Sequence, residues 1–218
     1  MGLLNASMKS VRKPADAVLL IGPTGSGKTP LGSHIEQHGM SGRKCHHFDF
    51  GHELRSIADA EILPQGFTEI EQQFLRDMLI KGLLLEDRHF PLAEKIVRDF
   101  LAKRIFEGSD MLILNGLPRH TGQARDMAEL VNVTCLLVLE CTAEDVCERI
   151  KANTGGDRTD RIDDADEMIR KKLKTFHNRT TPLIDHYAEQ GSTLIKIPVH
   201  ASATAEAVYS RLVSLLVL

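Results

Sequence analysis

The stretch Ala17-Val18-Leu19-Leu20-Ile21-Gly22-Pro23-Thr24-Gly25-Ser26-Gly27-Lys28-Thr29 decides the fold of this chain. Five apolar residues predict a buried strand. The next eight fit G-x-x-x-x-G-K-[ST], a phosphate-binding loop set between a strand and a helix. Its glycines let the backbone turn tightly and aim N–H groups at a phosphate. The helix that follows adds the positive end of its dipole at the same place. Lys28 is placed to reach β- and γ-phosphates, and the Thr29 hydroxyl to ligate Mg²⁺. Gly22 to Thr29 are therefore the candidate site for a nucleoside triphosphate with Mg²⁺.

Outward from this loop, apolar runs alternate with helical patterns, which predicts an α/β fold with helices flanking a parallel sheet. The strand candidates are 17–21, 44–48, 111–114, 133–139 and 193–197. A helix is expected from Lys28 to His38, with Gly39 as its stop and Pro30 tolerated in the first turn. Thr68-Glu69-Ile70-Glu71 is a capping box that opens a helix toward Lys81. Pro91 opens the next, with Leu92, Ile96, Phe100 and Leu101 as its buried stripe and Gly108 as its end. Asp164 to Glu167 starts another, with Ile169, Leu173 and Phe176 on one face and Pro182 as a kink or break. Residues 202–216 close the chain as an amphipathic helix. Exposed connections are expected at 61–66 and 153–160.

The chain has 218 residues, 42% hydrophobic and 26% charged, with a net charge of -3. That suits one globular domain, 15–218, behind a flexible basic tail, 1–14, carrying Lys9, Arg12 and Lys13. The balance of charge gives no reason to expect a nucleic-acid or membrane partner. No apolar run is long enough to span a bilayer, and the first residues lack the apolar core of a secretory signal. Cys45, Cys135, Cys141 and Cys147 form no C-x-x-C pair. They are expected to be reduced thiols in a cytoplasmic protein, with Cys135 in the core. Nothing calls for more than a monomer.

Beyond the loop, arginines carry the chemistry, because phosphoryl transfer is mostly positioning and charge neutralisation. Asn115-Gly116-Leu117-Pro118-Arg119 follows a strand, where ligands of open parallel sheets bind. A second cluster is Arg158-Thr159-Asp160-Arg161, and a third is Arg170-Lys171-Lys172. Taken alone, each is equally well a solvated basic face.

Together and in this order, these pieces resemble adenylate kinase and its relatives, the nucleoside monophosphate kinases. Phe50-Gly51-His52-Glu53-Leu54-Arg55 is similar to that family's Thr-Gly-Asp-x-Leu-Arg, and Ile80-Lys81-Gly82-Leu83-Leu84 to its Gly-Lys-Leu-Val. Asn115 to Arg119, with Gln123-Ala124 behind, resembles Asp-Gly-Phe-Pro-Arg followed by Gln-Ala. Glu148-Arg149-Ile150 looks like the start of the family's lid, and Arg161-Ile162-Asp163-Asp164 matches Arg-x-Asp-Asp. Thr181-Pro182-Leu183-Ile184-Asp185-His186-Tyr187 is close to Thr-x-Pro-Leu-Ile-x-Tyr-Tyr. The likeness covers about residues 16 to 215.

The resemblance implies a three-layer P-loop NTPase-type fold with a five-stranded parallel sheet, an acceptor-binding subdomain at about 49–90 and a short lid at about 150–162. It implies that Lys28 and the loop hold the phosphate donor while Arg149 packs on the donor base. Arg55 and Arg119 would grip the acceptor phosphate, with Phe50, Gly116 and Gln123 at the acceptor. Arg161 and Lys172 would close over the transferring group, and Thr29 and Asn115 would serve the metal. Several residues depart from the pattern. Thr29 stands for a common glycine, Asn115 for aspartate, Lys172 for arginine and Asn153 for a lid arginine. Phe50 and His52 replace Thr and Asp, and the interval from Arg55 to Gly82 is long. On these grounds Asn115→Asp is expected to strengthen the Mg²⁺ dependence.

The activity implied is transfer of the ATP γ-phosphoryl group to a nucleoside monophosphate, AMP first. Two readings compete with it: a nucleotide-binding protein with weak or no transfer, and a UMP/CMP-type kinase. A kinase of a sugar-like acceptor leaves Gln123 unexplained, and no D-x-x-G switch follows a strand as a GTPase requires.

Overall fold

The computed structural model describes residues 14–104, 109–157 and 166–216. Five strands form one parallel sheet: β1 (Ala15–Ile21), β2 (Cys45–Asp49), β3 (Met111–Asn115), β4 (Val131–Glu140) and β5 (Thr193–Pro198). Their order is β2-β3-β1-β4-β5. Every predicted strand is present, with ends displaced by a residue or two. β4 starts early because Val131 and Val133 both point into the core while Asn132 and Thr134 face out.

Period-two alternation sorts the core into two layers. Ala17, Leu19 and Ile21 of β1 pack with Leu112 and Leu114 of β3 on one face. Val18, Leu20 and Ile113 turn to the other. That second face is covered by α1 (Lys28–His38), through Leu31 and Ile35, and by α9 (Ala205–Leu216), through Val208 and Leu212. The first face is covered by α4 (Phe90–Lys103), among others. A strand buried on both sides has no polar positions to spare, hence the unbroken apolar run before the loop.

Helix α1 begins and ends as predicted, and α3 (Glu69–Ile80) carries the Thr68–Glu71 capping box. In α4 the buried residues are Phe90, Ala93, Ile96, Val97 and Phe100, whereas Leu92 and Leu101 are half-buried at its margin. That helix stops at Lys103, and the expected Gly108 end lies outside the described residues. α7 (Asp166–Thr175) runs into a π turn (Phe176–Thr180), and Pro182 then precedes α8 (Leu183–Glu189). The proposed start of α7 at Asp164 lies outside the described residues. Cys135 is half-buried rather than core.

Three helices were not read from the sequence. α2 (Phe50–Ala58) is capped by Asp49, and α5 (Thr121–Met127) by His120. α6 (Ala143–Ala152) carries an overlooked Thr142–Asp145 capping box. Two polar side chains of α3 finish α2. Gln72 donates to the carbonyls of Ile57 and Ala60, and Arg76 to that of Ala58. Carbonyls at a helix end lack intrahelical partners, and these side chains serve them, with Ile57 also accepting from the Ala60 N–H at 3.4 Å. Strand register sets Leu20 beside Asn115 and Asn115 beside Asp49. The carboxyl ends of β1, β3 and β2 thus lie side by side, where the sheet presents ligand sites.

Candidate active site

The loop leaves β1 at Gly22. A Cβ there would lie 2.6 Å from Ser26 Oγ, so any side chain would displace the buried Ser26 hydroxyl. Gly25 and Gly27 take φ of 78° and 92°, the left-handed region that side chains avoid. Gly27 caps α1 without a side chain, which leaves the first-turn N–H groups for a ligand. The Lys28 ammonium lies across the loop and donates to the carbonyls of Gly22 and Pro23, each at 2.7 Å.

Beside the loop stands a carboxylate that the sequence reading passed over. Thr29 Oγ1 donates to Asp49 Oδ2 at 2.5 Å. Asn115 Nδ2 donates to the same oxygen at 2.9 Å and to Thr29 Oγ1 at 3.0 Å. Asp49 Oδ1 accepts from the His52 backbone N–H at 3.0 Å. Burial alone pushes this carboxyl group up. The hydrogen bonds from Thr29 and His52, with His47 and Arg55 nearby, outweigh it and hold Asp49 below the usual carboxylate range.

One cleft gathers Lys28, Asp49, Arg55, Asn115, Arg119 and Lys172, with Phe50, Gly116 and Gln123 also on its wall. Gly116 makes its turn at φ 85°, and Arg119 Nε donates back to the Gly116 carbonyl at 2.8 Å. Gln123 is buried. It accepts from the Arg119 backbone N–H at 2.9 Å and donates to the Leu85 carbonyl at 2.8 Å. Thr180 donates to the Arg119 carbonyl at 3.0 Å, so the backbone that carries Arg119 is held from both sides. Arg161 lies outside the described residues.

The family model for adenylate kinase matches residues 20–192. The chain belongs to the adenylate kinase family. The adenylate kinase of Synechococcus sp. (strain WH7803) is 31% identical over 89% of this chain and 95% of its own length. That of Phocaeicola vulgatus is 28% identical, covering 90% and 96%. Adenylate kinase isoenzyme 1 of Rattus norvegicus is 24% identical, covering 94% and 95%. This adenylate kinase family member is accordingly a phosphotransferase acting on nucleoside monophosphates.

The family uses ATP with Mg²⁺. Hydroxyl, carboxylate and amide groups at the ends of α1, β2 and β3 form an oxygen-rich set that suits a hard cation shared with phosphates. Thr29, Asp49 and Asn115 would hold such an ion, which would neutralise charge on the transferring phosphoryl group. Among the described residues, no group of three or more His, Cys, Asp or Glu side chains is placed to hold a metal ion by itself.

Arg149 of α6 is 4% exposed and does not line the cleft. Its Nε donates to the Gly25 carbonyl at 3.0 Å. Its Nη1 lies within hydrogen-bond distance of the carbonyls of His200, Ala201 and Ala203, at 2.9, 3.3 and 2.7 Å. The residue therefore braces the phosphate loop from behind. Arg149→Ala would take their donor from the Gly25 and Ala203 carbonyls, while His200 and Ala201 keep bonds from the Ala203 N–H and the Thr154 hydroxyl. It would cost about 3 kcal/mol, since each buried unpaired group costs roughly 1–3 kcal/mol. In thermal denaturation that is a fall of roughly 6–12 °C for a chain of this size. A variant that melts as the parent does while losing ATP affinity would show that Arg149 acts on the nucleotide and not on the fold.

One departure has a local explanation. Asn153 ends α6 in the left-handed region, at φ 45° and ψ 43°, where asparagine is the best tolerated residue after glycine. An arginine would be strained there.

Proposed function

We propose that this chain transfers the γ-phosphoryl group of Mg·ATP to AMP, giving two molecules of ADP. The observation that carries the reading is one cleft that gathers Lys28 and the loop with Arg55 and Arg119, and with Lys172 of α7. Lys28, the loop amides and Thr29 bind the donor, and Arg149 braces the loop beside the donor base. Arg55 and Arg119 hold the acceptor phosphate. Arg161 and Lys172 close over the transferring group with a short lid at about 150–162. The acceptor arm, at about 49–90, supplies an apolar wall from Phe50, Met78, Leu79 and Leu85 that suits a base. No general base is needed, because an acceptor phosphate is largely ionised near neutral pH. Closing over the substrates excludes water, which would otherwise hydrolyse ATP. The protein works as a monomer in a reducing cytoplasm, which suits its four thiols.

One observation favours a second reading, a CMP- or UMP-type kinase. The Gln123 amide is engaged at both ends with backbone groups, so its capacity to select adenine is reduced. The test is incubation with Mg·ATP and AMP, CMP, UMP, dCMP or GMP, followed by separation of diphosphates. AMP is expected to turn over at least about tenfold faster than the rest, as a base read by paired hydrogen bonds allows. A pyrimidine acceptor that outruns AMP establishes the second reading. ATP binding with no diphosphate from any acceptor leaves a binding protein in place of an enzyme.

A further inference from the structure

We propose that Asp49 is the carboxylate that holds the divalent cation of the nucleotide beside Thr29, a charge carried on β2 in this chain and not on β3. The proposal rests on the reading that the cleft takes Mg·ATP. Three observations converge on it.

First, a P-loop hydroxyl and a nearby carboxylate are the groups with which such sites hold Mg²⁺. The carboxylate in contact with Thr29 is Asp49, at 2.5 Å. Second, the bonding leaves Thr29 correctly poised. A hydroxyl has one proton and two lone pairs. The proton goes to Asp49 and one lone pair accepts from Asn115. One lone pair remains for a cation. Third, Asp49 explains why position 115 is an amide. Asn115 Nδ2 lies 2.9 Å from Asp49 Oδ2. An aspartate at 115 would set two carboxylates against each other, and one would have to take up a proton. The amide instead donates from Nδ2 to both Asp49 and Thr29. Asp49 and Asn115 are register partners on adjacent strands. A charge on either one faces the same point above the loop. The expectation that Asn115→Asp alone improves metal use is thereby reversed, since that variant crowds two acids into one place.

The test uses the full chain with ATP and Mn²⁺ as the probe, reading free Mn²⁺ by electron paramagnetic resonance. Asp49→Asn keeps the cap of α2, because asparagine caps helices as well as aspartate does. It is expected to weaken Mn²⁺ binding to the ATP complex by about 10- to 100-fold, the usual loss when a metal site is deprived of such a partner. ATP binding in metal-free buffer should not weaken. Returning the charge to β3, with Asp49→Asn and Asn115→Asp together, should recover about tenfold of that loss. Mn²⁺ affinity unchanged in Asp49→Asn, with an unchanged melting temperature, overturns the proposal and leaves the kinase reading intact. Failure of the double variant to recover overturns the transposition of charge. A parent protein that binds neither ATP nor Mn²⁺ overturns the kinase reading as well.

Discussion

Lys28→Ala is expected to reduce phosphoryl transfer by about 10³-fold, equivalent to about 4 kcal/mol of transition-state stabilisation. The ammonium already lies in the concave side of the loop, 2.7 Å from the Gly22 and Pro23 carbonyls. A polyphosphate seated on the loop amides would bring its β- and γ-oxygens to the same ammonium. Charge on these oxygens grows as the bond to the leaving group loosens, so the loss should fall on turnover more than on binding. Alanine is a good helix former, and the first turn of α1 should persist. Initial rates with saturating ATP and AMP, alongside circular dichroism, decide the matter. Rates within threefold of the parent would contradict the assignment of the loop.

Arg119→Ala is expected to lower turnover by about 10²- to 10³-fold while ATP affinity changes by less than about threefold, since it deletes a group that serves the acceptor phosphate alone. Truncation removes the guanidinium and its bond to the Gly116 carbonyl, but Gln123 and Thr180 still hold the Arg119 backbone. Arg119→Lys should rescue only in part, because an ammonium cannot fork onto two phosphate oxygens. Calorimetry for ATP and steady-state kinetics for the acceptor separate the two effects. Equal losses in both would move Arg119 to the donor end of the cleft.

Most of the sheet was legible because its strands are buried on both faces and announce themselves as apolar runs. The start of α1 was legible because the loop glycines and Lys28 leave no other reading. Helix α2 was hidden. Its cap, Asp49, is also the last residue of β2, so strand and helix meet with no intervening turn signal. Asp49 itself was missed for a related reason. Its partners Thr29 and Asn115 stand 20 and 66 residues away, and only the pairing of β2 with β3 brings them together. Arg149 was expected, by resemblance, to pack on the donor base; which carbonyls it serves depends on how the segment after β5 folds back over α6, and no local pattern encodes that.

The brace behind the phosphate loop also closes a long circuit of chain. Arg149 reaches the carbonyl of Gly25, 124 positions before it, and that of His200, 51 positions after it. Contacts so far apart in sequence must overcome a large loop-closure entropy before they form. The nucleotide cradle is thereby tied to assembly of the whole domain, and no isolated strand–loop–helix fragment would carry it.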